Sequence, residues 1–384
     1  MSPKRILVLE AQVPFVHGGA EVHVRELLRE LRARGYDAEL VSVPFKWYPK
    51  DEILPHAGAW RLLDLSESNG QRIDLVIATK FPTYFARHPN KVAWLIHQYR
   101  AAYELCGTEY SDFGHNERDL GLRDTLIRLD TEMLGECRRV FANAQNTANR
   151  VAKYNGLTAE ALYHPPKLAA RLSAASPVYG DFVLSVGRIE SVKRVDLLVS
   201  AMARVDKPIR LVVAGDGTQR ENVERVAAQA GVADRVDFLG SVDDERLLEL
   251  YRDALAVLYP PFDEDFGYVT LEAFLARKPV VTATDSGGPN EFVVDGVNGF
   301  VRPPDPAAFA EAINGLAAAR RRAATMGDAG YERARTITWD GVIDKLVLEA
   351  SDGQASAGGK SPKATTSAQR DGEAERGPIE RSDR

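Results

Sequence analysis

Short runs of β-branched and other apolar residues alternate along the chain with segments whose apolar positions recur at helical spacing. Arg5 to Ala11, Ala38 to Phe45, Asp74 to Phe81, Val92 to Gln98 and Arg139 to Ala144 each read as a buried strand. Between the first two, Val24, Leu27, Leu28 and Leu31 fall at i, i+3, i+4 and i+7, the apolar stripe of one helix face. Gly35, following a basic last turn, predicts where that helix stops. Strand, crossover helix and strand predict a parallel sheet. The pattern restarts after Pro165, Pro166 and the Ser/Ala/Pro stretch from Ser173 to Pro177, with strands expected at Phe182 to Val186, Ile209 to Ala214, Val236 to Leu239, Ala256 to Tyr259 and Pro279 to Ala283. Two doubly wound α/β domains in tandem bind ligands at the carboxyl ends of their strands, so the expected site is the crevice between them.

Length and composition agree with two cores: the chain has 384 residues, 45% of them hydrophobic. The expected division is an N-terminal domain over 1–172, a linker over 173–180, a C-terminal domain over 181–335, a helix over 336–350 and a tail over 351–384. The tail is rich in Ser, Gly, Ala, Lys and Glu and too poor in apolar residues to offset its ordering entropy, which predicts disorder. Two cysteines, Cys106 and Cys137, form no disulfide framework or zinc pattern and fit packing roles in a reducing compartment. No stretch has the length of a signal core or a membrane span, so a cytoplasmic protein is expected. Forty-nine basic against 55 acidic residues, a net charge of -6, argue against a nucleic-acid partner and leave room for a local basic face.

Chemistry gathers in the loops after strands. In Gly187-Arg188-Ile189-Glu190-Ser191-Val192-Lys193-Arg194, a strand ends in glycine, two basic side chains stand five apart and a helix starts near Asp196. A guanidinium fork, an ammonium and a helix N-terminus together can grip a diphosphate, although a solvated basic turn has the same composition. After the strand ending at Tyr259, Glu264 lies in the loop and Glu272 eight residues on in the next helix, with Gly267 between them. Carboxylates grip paired hydroxyls, as on the ribose of dinucleotide folds, while an acidic residue in a first helical turn also needs no ligand. Two further loops converge on the crevice, His17-Gly18-Gly19-Ala20-Glu21 and Asp285-Ser286-Gly287-Gly288-Pro289-Asn290-Glu291, and neither is a dinucleotide or Walker fingerprint. His97, closing an apolar strand, is expected at the rim of the first sheet.

These segments, in this order, resemble glycosyltransferase family 4. The Gly-Gly loop, His97, Gly187-Arg188 with Lys193, the Glu264 and Glu272 pair, Gly287-Gly288-Pro289-Asn290-Glu291, Asn298-Gly299 and Trp339 carry the likeness, over roughly residues 4 to 350 and most specifically in the C-terminal half. The resemblance implies the GT-B fold, two Rossmann-like doubly wound domains facing each other across a cleft. It also implies a nucleoside-diphosphate sugar as donor, retention of anomeric configuration, and no metal or other cofactor. Residue by residue, it implies that Arg188 and Lys193 neutralise the donor diphosphate, that Glu272 binds ribose and that Glu264 faces the transferred sugar. Backbone amides around Phe266, Gly267, Tyr268 and Val269 would contact sugar and phosphates, Gly19 would add an amide, and His97 would touch the sugar. Front-face attack, with a phosphate oxygen accepting the acceptor's proton, is the favoured mechanism, and catalysis is then mostly positioning and leaving-group stabilisation. Two departures stand out: Lys193-Arg194 where many members have Lys-Gly, and Gln98 where many carry an acidic residue after the histidine.

Other readings remain open. Asp263-Glu264-Asp265 matches the Asp-X-Asp pattern that holds a divalent metal in another glycosyltransferase architecture. Epimerases, phosphorylases and disaccharide synthases share the GT-B frame, and a nucleotide-binding module without turnover is a reading of a different class. A dehydrogenase is disfavoured by the glycine spacing of the first loop. The expected acceptor is a glycan or lipid-linked sugar in surface polysaccharide or glycolipid synthesis, with a UDP-sugar donor first and GDP-mannose second. Base selection is expected near Leu239 and Gly240. Arg118, Arg123, Arg128, Arg138 and Arg139, with leucines among them, suggest either a basic amphipathic helix resting on the inner face of an anionic membrane or an ordinary packed helix with solvated arginines.

Overall fold

The computed structural model describes residues 4–15 and 18–349, so His17 and the tail expected to be disordered lie outside the described residues. The N-terminal half contains β1 (Arg5–Gln12), β2 (Asp37–Pro44), a small antiparallel hairpin of β3 (Glu67–Ser68) and β4 (Gln71–Arg72), β5 (Leu75–Ala78), β6 (Lys91–Leu95), β7 (Arg139–Ala142) and β8 (Glu160–Ala161). The C-terminal half contains β9 (Phe182–Val186), β10 (Arg210–Ala214), β11 (Val236–Gly240), β12 (Ala256–Leu258), β13 (Val280–Ala283) and β14 (Gly299–Arg302). Two six-stranded sheets result, ordered β2-β1-β5-β6-β7-β8 and β11-β10-β9-β12-β13-β14. All their pairings are parallel, from Ile6 opposite Ala38 to Ala283 opposite Arg302. Strand order reverses between β9 and β12, so the loops after these two strands open onto a common crevice.

Each expected strand is present; the hairpin of β3 and β4 was not foreseen, nor was one strand in each six-stranded sheet. Glu160–Ala161 is a two-residue edge pairing with no apolar run, and Gly299–Arg302 begins on a glycine. The helix Gly19–Ala33 buries Val24, Leu27, Leu28 and Leu31, and Gly35 takes the left-handed φ of 82° just beyond its end. Ser173 and Ala174, placed in the linker from their composition, instead finish the helix Ala169–Ala174. The C-terminal segment runs as an α-helix over Trp339–Ile343 and a π-helical turn over Asp344–Glu349. It crosses back: Trp339, Val342, Ile343, Leu346 and Val347 share one apolar cluster with Ile6, Val24 and Trp94 of the N-terminal half. Arg34 pairs with Asp340 at the same junction.

Of the arginine-rich segment, Arg118, Arg123 and Arg128 lie on the helix Glu117–Gly135, whose apolar side faces inward, whereas Arg138 precedes β7 and Arg139 begins it. Leu126 and Leu134 are fully buried in the N-terminal core, with Leu122, Ile127 and Leu129 packed against it, so these side chains are not a lipid-inserting face. Arg118 pairs with Asp51 and Arg123 donates to the Ala102 carbonyl. Among the described residues no helix is long and apolar enough to cross a membrane.

An aromatic cluster joins the two halves beside the crevice. The His164 ring stacks on Phe266 at 4.9 Å, stands 5.2 Å from Trp94 and 5.3 Å from Trp339, and accepts or donates a 3.0 Å hydrogen bond with Tyr268. His23 lies 4.4 Å from His164 and 4.1 Å from Trp94, and neither of its nitrogens has a partner among the described residues. Burial pushes the His164 imidazole down to about 3 and holds His23 well below its ordinary value, helped by His164. An unfolded imidazole takes a proton near pH 6.5 while these stay neutral, so the unfolded state binds more protons as pH falls below that value. Stability is therefore lost on acidification, by about 1.4 kcal/mol per pH unit per histidine. We expect His23→Phe, which removes two unsatisfied buried nitrogens and keeps an aromatic ring, to shrink the fall in melting temperature between pH 7.5 and 5.5. An unchanged pH dependence in calorimetric melts would show that His23 titrates freely in the native state.

Candidate active site

The connection after β9 carries the basic pair. Gly187 (φ 129°) ends the strand, Ser191–Lys193 form a 3-10 turn, and Arg194 takes a left-handed backbone with φ 52° before the helix Val195–Ala201. Arg188 is exposed and its guanidinium has no partner among the described residues. Lys193 forms an ion pair with Glu264 and donates to the Tyr259 hydroxyl at 3.3 Å. The sequence-predicted lysine and first glutamate are thus in direct contact, delivered by the two strands that flank the topological switch.

The connection after β12 is held along its backbone. Phe262 N donates to Val192 O at 2.7 Å, Asp263 N to Asp285 O at 2.9 Å, Glu264 N to Ser286 O at 2.9 Å, and Gly288 N returns to Glu264 O at 2.8 Å. This close packing explains the two glycines. A Cβ on Gly288 would stand 2.5 Å from the Asp265 carbonyl, and one on Gly287 (φ 71°) would stand 2.6 Å from the Glu264 carbonyl. Gly267 (φ 80°) precedes the helix Tyr268–Leu275 with no side-chain cap, and the amides of Phe266, Gly267, Tyr268 and Val269 find no acceptor among the described residues. Free first-turn amides make an anion-binding end. The side chains of Phe266 and Val269 are buried. Glu272, one turn further on, accepts from the Tyr251 hydroxyl at 2.7 Å, and burial raises its carboxyl above the ordinary range.

The N-terminal half supplies Gly19 and His97. Gly19 starts its helix, and a Cβ there would stand 3.3 Å from the Tyr268 ring, so this glycine permits the close approach of the two halves. His97 lies two residues beyond the end of β6 rather than within the strand, with Nδ1 2.7 Å from the Gln98 carbonyl. Burial lowers its pKa against the opposing charge of Asp265. Gln98, where relatives carry an acid, is buried and hydrogen-bonded to Asn155. Leu239, near which base selection is expected, is exposed, and the neighbouring Gly240 carbonyl accepts from Gly215 N at 2.8 Å.

Two contributors, Arg150 and Asn146, were not foreseen. Arg150 on the helix Gln145–Asn155 pairs with Asp265 and with Asp263 at 2.9 Å, and donates to the Asp263 carbonyl at 2.5 Å. Asn146 Nδ2 donates to Asp263 Oδ1 at 2.7 Å and to the Glu264 carbonyl at 2.9 Å. Glu291 accepts from the amides of Gln145 at 2.9 Å and Asn146 at 2.6 Å, capping across the crevice a helix that has no cap of its own. Arg150 left one sequence signal: it shares the buried helix face with Thr147 and Val151, where an arginine needs a partner. Asp263 and Asp265, the outer members of the Asp-X-Asp pattern, are turned onto Arg150, with Arg100 also 3.6 Å from Asp265, and no group of three or more metal-ligating side chains gathers among the described residues. The pattern does not fit a metal as it stands.

Two family models match the chain, Glycosyltransferase Family 4 over residues 17–164 and Glycosyl transferases group 1 over residues 171–333. Together they take in most of it, and the chain belongs to glycosyltransferase family 4, with the GT-B fold. The D-inositol 3-phosphate glycosyltransferase of Geodermatophilus obscurus is 34% identical over 244 residues, which are 57% of this chain and 53% of that protein. The matches span about half the length of such curated relatives. In structure, the chain is similar to sucrose-phosphate synthase from Thermosynechococcus elongatus, with a TM-score of 0.73, 19% identity and coverage of 92% of this chain and 100% of that one. It is also similar to Anabaena HepE solved with UDP and glucose, with a TM-score of 0.63, 19% identity and coverage of 91% and 99%. These two likenesses concern the fold.

Arg194 stands where many members have glycine, and the structure gives a reason for the exchange. Its left-handed backbone costs about 1 kcal/mol relative to glycine. Its side chain donates at 2.8 Å to the carbonyls of both Pro260 and Pro261 and pairs with Asp285 at 2.6 Å, tying the two site loops together. Arg194→Ala keeps the backbone cost and loses the ties, whereas Arg194→Gly loses the ties alone. Both are expected to lower the melting temperature, with glycine the better tolerated by about 1 kcal/mol in denaturant titrations. Equal destabilisation would show that the backbone at 194 is unstrained.

Proposed function

We propose that this chain is a retaining glycosyltransferase that moves a sugar from a nucleoside diphosphate to a glycan or lipid-linked acceptor without a metal. The observation that carries the reading is the meeting of Lys193 and Glu264 at the switch point, with exposed Arg188 and the free amides of Phe266 to Val269 beside them. In this reading Arg188, Lys193 and the helix N-terminus take the diphosphate charge, which is where negative charge grows as the leaving group departs. Glu272 holds the ribose hydroxyls and Glu264 the transferred sugar, while Gly19 and His97 approach from the other half. His97, held neutral by burial, is suited to hydrogen-bond a sugar hydroxyl rather than to carry a proton. The acceptor oxygen attacks the anomeric carbon from the face the diphosphate leaves, and a departing phosphate oxygen receives its proton. A UDP-sugar is the preferred donor, supported by the UDP bound in HepE, and GDP-mannose is second. Relatives named for transfer to inositol 3-phosphate support a hydroxylated acceptor, and synthesis of a surface polysaccharide or glycolipid at the cytoplasmic face is the pathway class that suits it.

Calorimetric titration with UDP, GDP and NAD in EDTA tests this assignment. One of the two diphosphates is expected to bind and NAD not to bind. Lys193→Ala and Glu272→Ala should each weaken that binding by about tenfold or more, about 1.4 kcal/mol, in protein that remains folded. A folded protein that binds neither diphosphate overturns the donor site, and binding that is lost in EDTA overturns metal independence.

A further inference from the structure

We propose that Arg150, with Asn146 beside it, is a positioning residue that sets Glu264 from the opposite domain, so that the site is complete only when the two halves are closed on each other. The inference rests on the proposed transferase reading for its consequence and on contacts alone for its geometry. Arg150 is almost fully buried on the inward face of its helix, a position that an unpaired guanidinium does not tolerate. Its own domain offers it one carboxylate, Glu104 at 3.3 Å. Its other partners, the carboxylates of Asp263 and Asp265 and the carbonyl of Asp263, belong to the C-terminal domain. Arg100, also N-terminal, donates to the same Asp263 carbonyl at 2.6 Å and stands 3.6 Å from Asp265.

These contacts bracket Glu264 on both sides of the chain. Asn146 adds a hydrogen bond to the Glu264 carbonyl itself, so residues 263, 264 and 265 are all held from the N-terminal domain. The Glu264 carboxylate then turns the other way, to Lys193 of its own domain. Burial alone would raise the Asp265 carboxyl, but Arg100 and Arg150 overcome this and hold it below the ordinary range, which keeps it charged and gripped. The diphosphate-binding groups Arg188 and Lys193 belong to the C-terminal domain, and Lys193 takes its partners, Tyr259 and Glu264, from that domain alone. The geometry therefore separates two events: one domain suffices to bind the nucleotide, and both are needed to place Glu264.

Transfer of the sugar to water reads this separation without knowledge of the acceptor. Water oxygen bonds to the anomeric carbon, the bond from that carbon to the β-phosphate oxygen breaks with its electron pair going to that oxygen, and the nucleoside diphosphate leaves carrying the water's proton on a phosphate oxygen. Arg150→Met, Arg150→Lys and Asn146→Ala would be compared with the unaltered chain in hydrolysis of UDP-glucose and GDP-mannose, calorimetric binding of UDP and GDP, and backbone hydrogen exchange over residues 262–267. Arg150→Met should lower kcat by about 10- to 100-fold while diphosphate affinity changes by less than about threefold, with Arg150→Lys partly restored. Asn146→Ala should lower kcat by about tenfold, and exchange over 262–267 should quicken in each variant. Asn146 is only half-buried, so this variant keeps the test alive if Arg150→Met does not fold. Unchanged kcat in the folded variants, or a loss confined to diphosphate affinity, overturns the positioning role. If the unaltered chain neither binds nor hydrolyses these donors, the transferase reading fails instead, and exchange over 262–267 then decides the clamp alone: unaltered exchange in the variants overturns it.

Discussion

A buried guanidinium and a buried carboxylate from different domains face each other across the crevice, Arg150 against Asp265, and much of the site's geometry follows from their need for one another. Removing two charges from water costs several kcal/mol each, and their attraction only roughly repays it. A pair of this kind contributes little net drive to closure, because on opening both groups regain water. It contributes specificity instead: no arrangement in which the domains touch but the pair is missed is tolerable. The register of the two halves, and with it the placement of Glu264, is set by a constraint that adds little to the depth of the closed minimum.

The rest of the interface has the complementary character. Where Arg150 and Asp265 impose direction, the stacked rings of His164 and Phe266, with Tyr268 and Trp339 around them, supply apolar contact that tolerates small rotations. Glu291, seated on the amides of Gln145 and Asn146, fixes the start of the same helix that carries Arg150. The helix Gln145–Asn155 therefore receives one C-terminal carboxylate at its N-terminus and others on its flank. Its placement against the C-terminal domain is determined at two points separated by a turn and a half.

What the sequence made legible is what local chemistry fixes. Strands of β-branched residues, the helix stripe of Val24 to Leu31 and the Gly-Arg and Lys pair after β9 follow from spacing within a few residues, and all fell close to where the pattern placed them. Glu264 and Glu272 could be paired from sequence because eight residues across a loop and helix start keep them near one another whatever the rest of the chain does. The partners of Asp263 and Asp265 were not legible, because the contacts to Asn146 and Arg150 join positions 117 and 115 residues apart. The Asp-X-Asp pattern was ambiguous for the same reason: its meaning depends on two arginines that no local window contains. The arginine-rich helix Glu117–Gly135 shows the converse, since its leucines, read alone, served a membrane face as well as the core that the fold gives them.

The division of labour between the halves bears on how such a site can load and reset. On the proposed reading, an incoming diphosphate meets Arg188 unpartnered and Lys193 already held by Glu264. The donor must therefore compete with Glu264 for the ammonium, and the exchange frees the carboxylate toward the sugar that arrives with the diphosphate. The ammonium keeps an anionic partner throughout, since the diphosphate replaces Glu264 at it inside a site where an unpaired ammonium would be costly. On that reading, the binding step itself releases from Lys193 the carboxylate that the following step requires.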